Sequence, residues 1–128
     1  MNNFYLLILI LPWCLVSASC RIKGKKIDLP NHYSFQIIEG RQPGLVDPKG
    51  GVLLLATHIM VSKGFVYGWV DGTEGLCFIL NTDNGEIRKN IHFKELDAIT
   101  KKNGIPEYNM SSSVTYWDIT TGYKMKNW

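Results

Sequence analysis

The order of apolar and polar residues predicts a chain built mainly from strands. Residues 33–38, "YSFQII", alternate aromatic or apolar side chains with polar ones, as a half-buried strand does. Residues 52–61, "VLLLATHIMV", are apolar for most of their length and predict a central strand. Two more strands are predicted at about 65–71 and 76–82, separated by "DGTEG", a hairpin sequence with a glycine near each end. Three adjacent antiparallel strands follow from these runs.

One helix is predicted after these strands. "TDNGEI" (82–87) predicts a tight turn in which Asn84-Gly85 can take positive φ, followed by a short strand near 86–88. "IHFKELDAITKK" (91–102) repeats apolar residues at helical spacing, and Asn103-Gly104 and Pro106 are its stop signals. The residues expected on its packed face are Ile91, Phe93, Leu96 and Ile99. "VTYWDIT" (114–120) then predicts another strand. The predicted fold is α+β: a curved antiparallel sheet of about five strands with one amphipathic helix packed on a face.

Residues 39–51 predict a long exposed loop between the first two strands. The stretch "EGRQPGLVDPKGG" contains four glycines and two prolines, which often interrupt regular structure. Loops on a rigid sheet are a common place for recognition, so Arg41 is a candidate contact residue. Tyr116 and Trp117 are further candidates, because in the strand predicted there they point to opposite faces and only one can enter the core.

The aromatic residues Phe65, Tyr67 and Trp69 alternate along one predicted strand and therefore share a face of the sheet. A sheet face of this composition must be covered by something, and we expect these three side chains to belong to the core.

An unbroken apolar run from Phe4 to Leu11, extended by residues 12–16, lies near the start of the sequence. It is shorter than a transmembrane helix, which needs about 20 apolar residues, and it predicts the core of a signal peptide. The "MNN" before it lacks the usual Lys or Arg, and a buried amino-terminal strand or helix is the alternative. The predicted organisation is a signal peptide at 1–19, a basic tether at 20–30 and a single domain at 31–128.

Three small residues precede Cys20. The stretch Ser17-Ala18-Ser19-Cys20 resembles the lipobox of bacterial lipoproteins, although a larger aliphatic residue usually stands at the position of Ser17. The resemblance implies that Cys20 becomes the first residue of the mature protein and carries lipid. Cleavage after Ala18 or Ser19 without lipidation is the alternative, and it implies a soluble secreted or periplasmic protein.

The basic residues are concentrated at the amino-terminal end. The 128 residues carry a formal net charge of +3, from 14 Lys and Arg against 11 Asp and Glu. Four of the basic residues lie within 21–26, so ten basic residues face eleven acidic ones from Ile27 onward, a net of −1. A nucleic-acid surface needs basic residues on one face of the fold, so this distribution disfavours nucleic-acid binding. The basic stretch suits a tether next to anionic headgroups.

Few residues offer catalytic or metal chemistry. His32, His58 and His92 are far apart and lack metal-ligand spacing, so neither a metal nor another cofactor is expected. Cys77 lies in the apolar run "LCFIL", where a buried, inert thiol is expected. If Cys20 is not lipidated, a disulfide between Cys20 and Cys77 is the alternative. A nucleophile pair of Cys77 with His58 or His92 is disfavoured by the apolar neighbours of the thiol, which raise its pKa.

The order "GFVYGWV", "CFILNTDNGEI", "FKELDAITKKNGI" resembles short bacterial envelope lipoproteins in which a strand ending in a D/N-T-x-x-G turn precedes an amphipathic helix. The matching stretch is Gly64 to Ile105, about a third of the chain. The resemblance implies an envelope protein, in some cases an immunity or inhibitor protein against a toxin delivered to the periplasm.

We therefore predict a non-enzymatic binding protein of the bacterial envelope. It is expected to reach the membrane through a lipid on Cys20 and to contact a protein partner through Arg41, Tyr116 and Trp117. The alternatives are a structural or assembly factor of the envelope and a small hydrolase that uses Cys77.

Overall fold

A computed structural model describes residues 26–38, 42–70, 76–115 and 118–119. Within these ranges the chain forms eight β-strands and one α-helix. The strands are β1 Lys26–Asp28, β2 Ser34–Ile38, β3 Gln42–Val46, β4 Val52–Ser62, β5 Phe65–Val70, β6 Leu76–Asn81, β7 Ile87–His92 and β8 Val114–Thr115; the helix, α1, is Phe93–Lys102. Two short 3-10 turns lie at Pro30–His32 and Met110–Ser112.

All the strands belong to one antiparallel sheet. Each of β1 to β7 pairs with the next in chain order, and β8 pairs with β4. The eleven-residue β4 is long enough to have two partners on one edge. β3 pairs with its first half, up to Leu55, and β8 pairs with His58 and Ile59 in its second half. The α+β arrangement of a sheet with one packed helix is thus as predicted, but the sheet has eight strands where about five were expected.

β3 lies inside the stretch predicted to be an exposed loop, and that prediction was wrong for residues 42–46. Pro43 to Val46 are buried, and Leu45 has no exposed surface. Gly44 is a packing residue: a methyl group there would lie 2.9 Å from Cγ1 of Ile38 and 3.0 Å from the carbonyl oxygen of Leu54. The glycine therefore permits close packing against the neighbouring strands. Within the described part of this stretch, the exposed turn lies at residues 48–51.

β1 was also missed, because it lies in the stretch assigned to the tether. Ile27 and Leu29 are 2% and 4% exposed and belong to the hydrophobic core. Lys26–Asp28 pairs with residues 34–36 of β2. Residues 26–28 are therefore part of the sheet, and Leu29 is part of the core.

The sheet buries both of its faces. Residues opposite each other on antiparallel neighbours share a face, so the register defines rows of side chains across the strands. One row runs Val114, Ile59, Gly68, Phe78, and its face packs in a core with Phe35 and Leu45 from the amino-terminal hairpins. The next row runs Thr115, His58, Trp69, Cys77, Ile91, and its face packs against α1. Phe65, Tyr67 and Trp69 share this second face, which confirms the prediction made from their alternation.

α1 follows β7 directly and contacts β6 and β7. His92 caps its start by accepting a hydrogen bond from the Lys94 N–H at 3.2 Å. Asn103 and Gly104, at φ +65°, end it at the predicted place. Within the helix, the Leu96 and Thr100 side chains are fully buried.

Two predictions near α1 and after it were wrong. Phe93, expected on the packed face of the helix, is 38% exposed, because it begins the helix where the chain leaves β7 and borders a groove. The strand expected over 114–120 ends at Thr115, and residues 118 and 119 are helical. The Asp118 carboxylate accepts hydrogen bonds from the Thr115 N–H at 2.8 Å and its hydroxyl at 3.3 Å, as an acidic residue does in a helix capping box.

Three hairpin turns meet at one end of the sheet. Asn31, at the tip between β1 and β2, donates from its side-chain amide to the Thr82 hydroxyl at 3.0 Å and to the Asp83 carboxylate at 2.8 Å. The Thr82 hydroxyl donates to the carbonyl oxygen of Gly64, in the turn between β4 and β5, at 2.6 Å. Thr82 is 4% exposed and connects the three turns.

Candidate functional site

The residues predicted from sequence to contact a partner or carry lipid lie outside the described residues. They are Cys20, Arg41, Tyr116 and Trp117. Their predicted roles stay predictions, and the site below is built from other side chains.

A groove opens on the second face of the sheet, between the start of α1 and the segment that follows it. It has a volume of about 480 Å³ and is lined by Trp69, Phe93, Glu107, Tyr108, Asn109 and Met110. We call it the aromatic groove. The Trp69 and Tyr108 rings lie with their centroids 6.3 Å apart and their planes tilted by 31°. Its volume falls within the range of ordinary ligand pockets, about 300–1,000 Å³.

The segment 105–112 forms one wall of the aromatic groove and is fixed to the sheet by specific bonds. The buried Tyr67 hydroxyl donates to the carbonyl oxygen of Pro106 at 2.6 Å. The Asn109 N–H donates to the sulfur of Met60 at 3.1 Å. The Asn109 side chain then accepts from the N–H and the hydroxyl of Ser111 at 3.0 and 2.7 Å. These bonds hold Tyr108 over Trp69.

Two of the exposed large hydrophobic side chains in the described residues border the aromatic groove. Phe93 is 38% exposed and Met110 is 46% exposed, on opposite walls. Val52, 51% exposed at the start of β4, does not line it. Exposed apolar side chains gathered around a concavity are typical of binding sites, whereas a single one is common anywhere on a surface.

Buried polar atoms near the aromatic groove lack full hydrogen bonding. The Trp69 indole N–H is buried and has no hydrogen-bond acceptor among the described residues. One carboxylate oxygen of Asp97, four residues along α1 from Phe93, is also buried without a partner in the described part. A buried donor left unpaired costs about 1–3 kcal/mol, so such an atom needs an explanation.

Burial also determines the protonation of the groups around Trp69. It raises the pKa of Tyr108 to about 12, an effect that the nearby Ser113 hydroxyl opposes. Burial raises the pKa of the Cys77 thiol, and the negative charge of Asp97 raises it further. The thiol and the phenol are therefore neutral at physiological pH, and the negative field of Asp97 extends beneath Trp69, the cross-strand neighbour of Cys77.

The structure does not bring Cys77 together with a histidine. Cys77 is a free, fully buried thiol. His58 lies in the same row, but Trp69 on β5 stands between them, and two strand spacings amount to about 10 Å. His92 pairs with Leu76, whose side chain points to the other face, and its ring caps α1. The expectation of a buried thiol is confirmed.

A second, smaller groove of about 240 Å³ lies at the other end of α1. Its floor includes Phe65, Ile79 and Ile99. Arg88, on its rim, already forms an ion pair with Glu95 at 3.0 Å. Among the described residues, no group of three or more His, Cys, Asp or Glu side chains is arranged to hold a metal. Within those same ranges, no helix combines the length and apolar character needed to cross a bilayer.

Comparisons of the chain with known protein families, with curated proteins and with solved structures gave no match.

The sequence pattern did not identify the aromatic groove. Trp69 was expected in the core; it is partly buried, packs against the core and also lines the groove. Tyr108 and Met110 lie in "PEYNMSSS" (106–113), which has no periodicity. The only sequence signal was the presence of a tyrosine and a methionine in an irregular segment bounded by proline and serines.

Proposed function

We propose that this protein is a non-enzymatic binding protein, exported to the bacterial envelope and anchored there by lipid on Cys20, and that the aromatic groove contacts a protein partner. The observation that carries the binding role is the pairing of Phe93 and Met110, both exposed, across a groove floored by Trp69 and Tyr108. Aromatic side chains and methionine are enriched at the centres of protein interfaces.

The exposed apolar side chains at the border of the groove favour a protein partner. The groove is open and bounded by a helix start and an irregular segment, and such walls suit a protruding side chain from another protein. Residues Trp, Tyr and Arg account for most binding energy in alanine scans, and about 2 kcal/mol or more is lost when a central anchor is truncated. Trp69 and Tyr108 are such residues, already fixed in position by the sheet and by the bond between Tyr67 and Pro106.

The proposal that the protein is not an enzyme is supported by the surroundings of its described thiol. A thiolate nucleophile needs a base or a positive field, and Cys77 has instead a raised pKa and the negative charge of Asp97 nearby.

Anchoring through Cys20 is supported by the Ser17-Ala18-Ser19-Cys20 stretch and the basic residues after it. A lipid anchor would hold the folded part close to the membrane, because Lys26 already belongs to β1. The aromatic groove would then act on partners at or near that membrane.

Photocrosslinking in cells tests the contact surface. A photoreactive benzoylphenylalanine is placed at position 93, 110 or 52 of the full chain. We expect a discrete crosslinked product from positions 93 and 110 and none from position 52, an equally exposed apolar site away from the groove. Equal products from all three positions, or none from 93 and 110, would contradict the proposal. The same probe at positions 41, 116 and 117 tests whether the residues predicted from sequence belong to that surface.

A further inference from the structure

Among the described residues that line the aromatic groove, one is acidic and none is basic. Glu107 lines it, and Asp97 lies one helical turn along α1 from Phe93. Among the described residues, no lysine or arginine lines the groove. Lys94 follows Phe93 on the helix but does not line the groove. Within the described ranges, ion pairs join Lys26 with Asp28 and Arg88 with Glu95. Glu107 therefore gives the groove lining a negative charge, and no ion pair among the described residues involves it.

The aromatic walls favour the same kind of occupant. A cation near the face of a tryptophan or tyrosine is attracted by the ring quadrupole, and the attraction grows when the cation is taken out of water. Trp69 and Tyr108 present two tilted rings 6.3 Å apart, and Phe93 lines the same groove. Asp97 does not line the groove, but its negative charge acts on Cys77, the cross-strand neighbour of Trp69.

We propose that the aromatic groove accepts a lysine or arginine side chain of the protein partner. The aliphatic part of that side chain packs between Phe93 and Met110, and its charge meets the rings of Trp69 and Tyr108 together with the field of Asp97 and Glu107. The inference rests on the proposed function and names the chemistry of the partner.

Peptide titration of the purified mature protein tests this directly. The protein is kept in a maltoside detergent, because a phosphocholine detergent would add a competing quaternary ammonium. Four glycine-flanked peptides carry lysine, arginine, norleucine or glutamate at the centre, and the Met110 methyl and Trp69 indole resonances report binding. We expect the lysine and arginine peptides to bind at least about 5-fold tighter than the norleucine peptide, which has the same aliphatic character without the charge.

Two variants separate charge from fold. Glu107→Gln should weaken lysine-peptide binding about 2- to 5-fold while leaving norleucine-peptide binding unchanged. Glu86→Gln, an exposed carboxylate that borders the other groove, is the matched control and should change neither. Raising the salt concentration should weaken binding of the lysine peptide more than binding of the norleucine peptide.

Other outcomes overturn the inference without touching the proposed function. Norleucine or glutamate peptides that bind as tightly as the lysine peptide would show that charge does not select the occupant. Choline that binds more tightly than the lysine peptide would identify a small quaternary ammonium as the ligand. Crosslinks from positions 93 and 110 in cells would still support protein binding in either case. If those crosslinks are missing, the proposed function fails even where the lysine peptide binds.

Discussion

Thr82 joins three turns of this fold through one hydroxyl group, so its removal should weaken the whole end of the sheet. The hydroxyl donates to the Gly64 carbonyl at 2.6 Å and accepts from the Asn31 amide at 3.0 Å. Thr82→Val keeps the shape of the side chain and removes both bonds. Because Thr82 is 4% exposed, water cannot replace them.

The expected cost follows from what each former partner retains. The Gly64 carbonyl still accepts from the Thr82 N–H at 2.9 Å, and the Asn31 amide still donates to Asp83 at 2.8 Å. Neither partner is left wholly unpaired, so each lost bond should cost about its net value, near 1 kcal/mol. We expect Thr82→Val to lower the free energy of unfolding by about 1–2 kcal/mol.

Asn31 provides the second side of a double-mutant cycle. Its backbone lies at φ +58°, which an alanine adopts only with strain and a glycine adopts freely. Asn31→Gly therefore removes the side-chain bonds without adding strain, and Asn31→Ala should be less stable than Asn31→Gly. Thr82→Val and Asn31→Gly together should show a coupling of about 0.5–1 kcal/mol, because they share one bond.

Urea unfolding of each variant measures these differences through the midpoint, at a constant dependence on urea. Thr57→Val is the control, because the Thr57 hydroxyl lies 3.0 Å from the adjacent His58 ring and joins no distant turns. A stability of Thr82→Val within about 0.3 kcal/mol of the parent would refute the reasoning. Strict additivity with Asn31→Gly would refute the shared bond.

Four further predictions follow from single features. Gly68→Ala should cost more than about 3 kcal/mol in urea unfolding, because a methyl group there would collide with a backbone carbonyl of β4 at a bulge; unchanged stability would contradict the strand packing. Stability should fall as the pH rises from about 10 to about 12, since Tyr67 and Tyr108, each with a pKa of about 12, keep protons that the unfolded chain has lost; a flat profile by circular dichroism would contradict this. Cys77 should react with a thiol reagent only on unfolding, and rapid labelling of the native protein would revive a catalytic role. Cys20→Ser should abolish labelling by a palmitate analogue, and a mature chain that begins at Ser19 and stays soluble would contradict lipidation.

The sequence pattern identified the central elements because their side chains repeat with the period of the structure. β2, β4, β5, β6 and α1 are apolar at the spacing that their faces need, and the stop at Asn103-Gly104 has a clear backbone reason. β3 was missed for a different reason. Its proline and glycine are packed closely between strands. In the sequence alone, they cannot be distinguished from the prolines and glycines that interrupt regular structure in a loop.

β1 was not predicted because the basic residues before it led to the assignment of this stretch to a tether. Lys26 and Asp28 face solvent and form an ion pair at 3.8 Å, while Ile27 between them is buried. Three residues with one apolar side chain carry too little periodicity to predict a strand next to a basic stretch. Only the pairing of Lys26–Asp28 with β2, which depends on the hairpin turn at Pro30–His32, identifies the strand.

The position of the aromatic groove follows from the length of α1. A helix of ten residues spans about 15 Å, and α1 lies against β6 and β7. The same sheet face continues over β5 and β4, where the Met60, Tyr67 and Trp69 side chains still need cover. The chain supplies that cover with an irregular segment, through Ile105, Tyr108 and the bonds to Pro106 and Asn109.

The helix α1 and the irregular segment both pack on this sheet face, and a gap remains where they meet. Phe93 is the first residue of the helix, and Met110 belongs to the irregular segment. Both side chains lie at the gap, where no further residues pack against them, and both are exposed. Trp69 lies beneath that gap, which explains why it packs against the core but is only partly buried. Lengthening the cover would bury all three groups more fully and would close the groove. A site of this kind therefore depends on incomplete burial of Phe93 and Met110, and a bound partner that covers both side chains would remove their apolar surface from water.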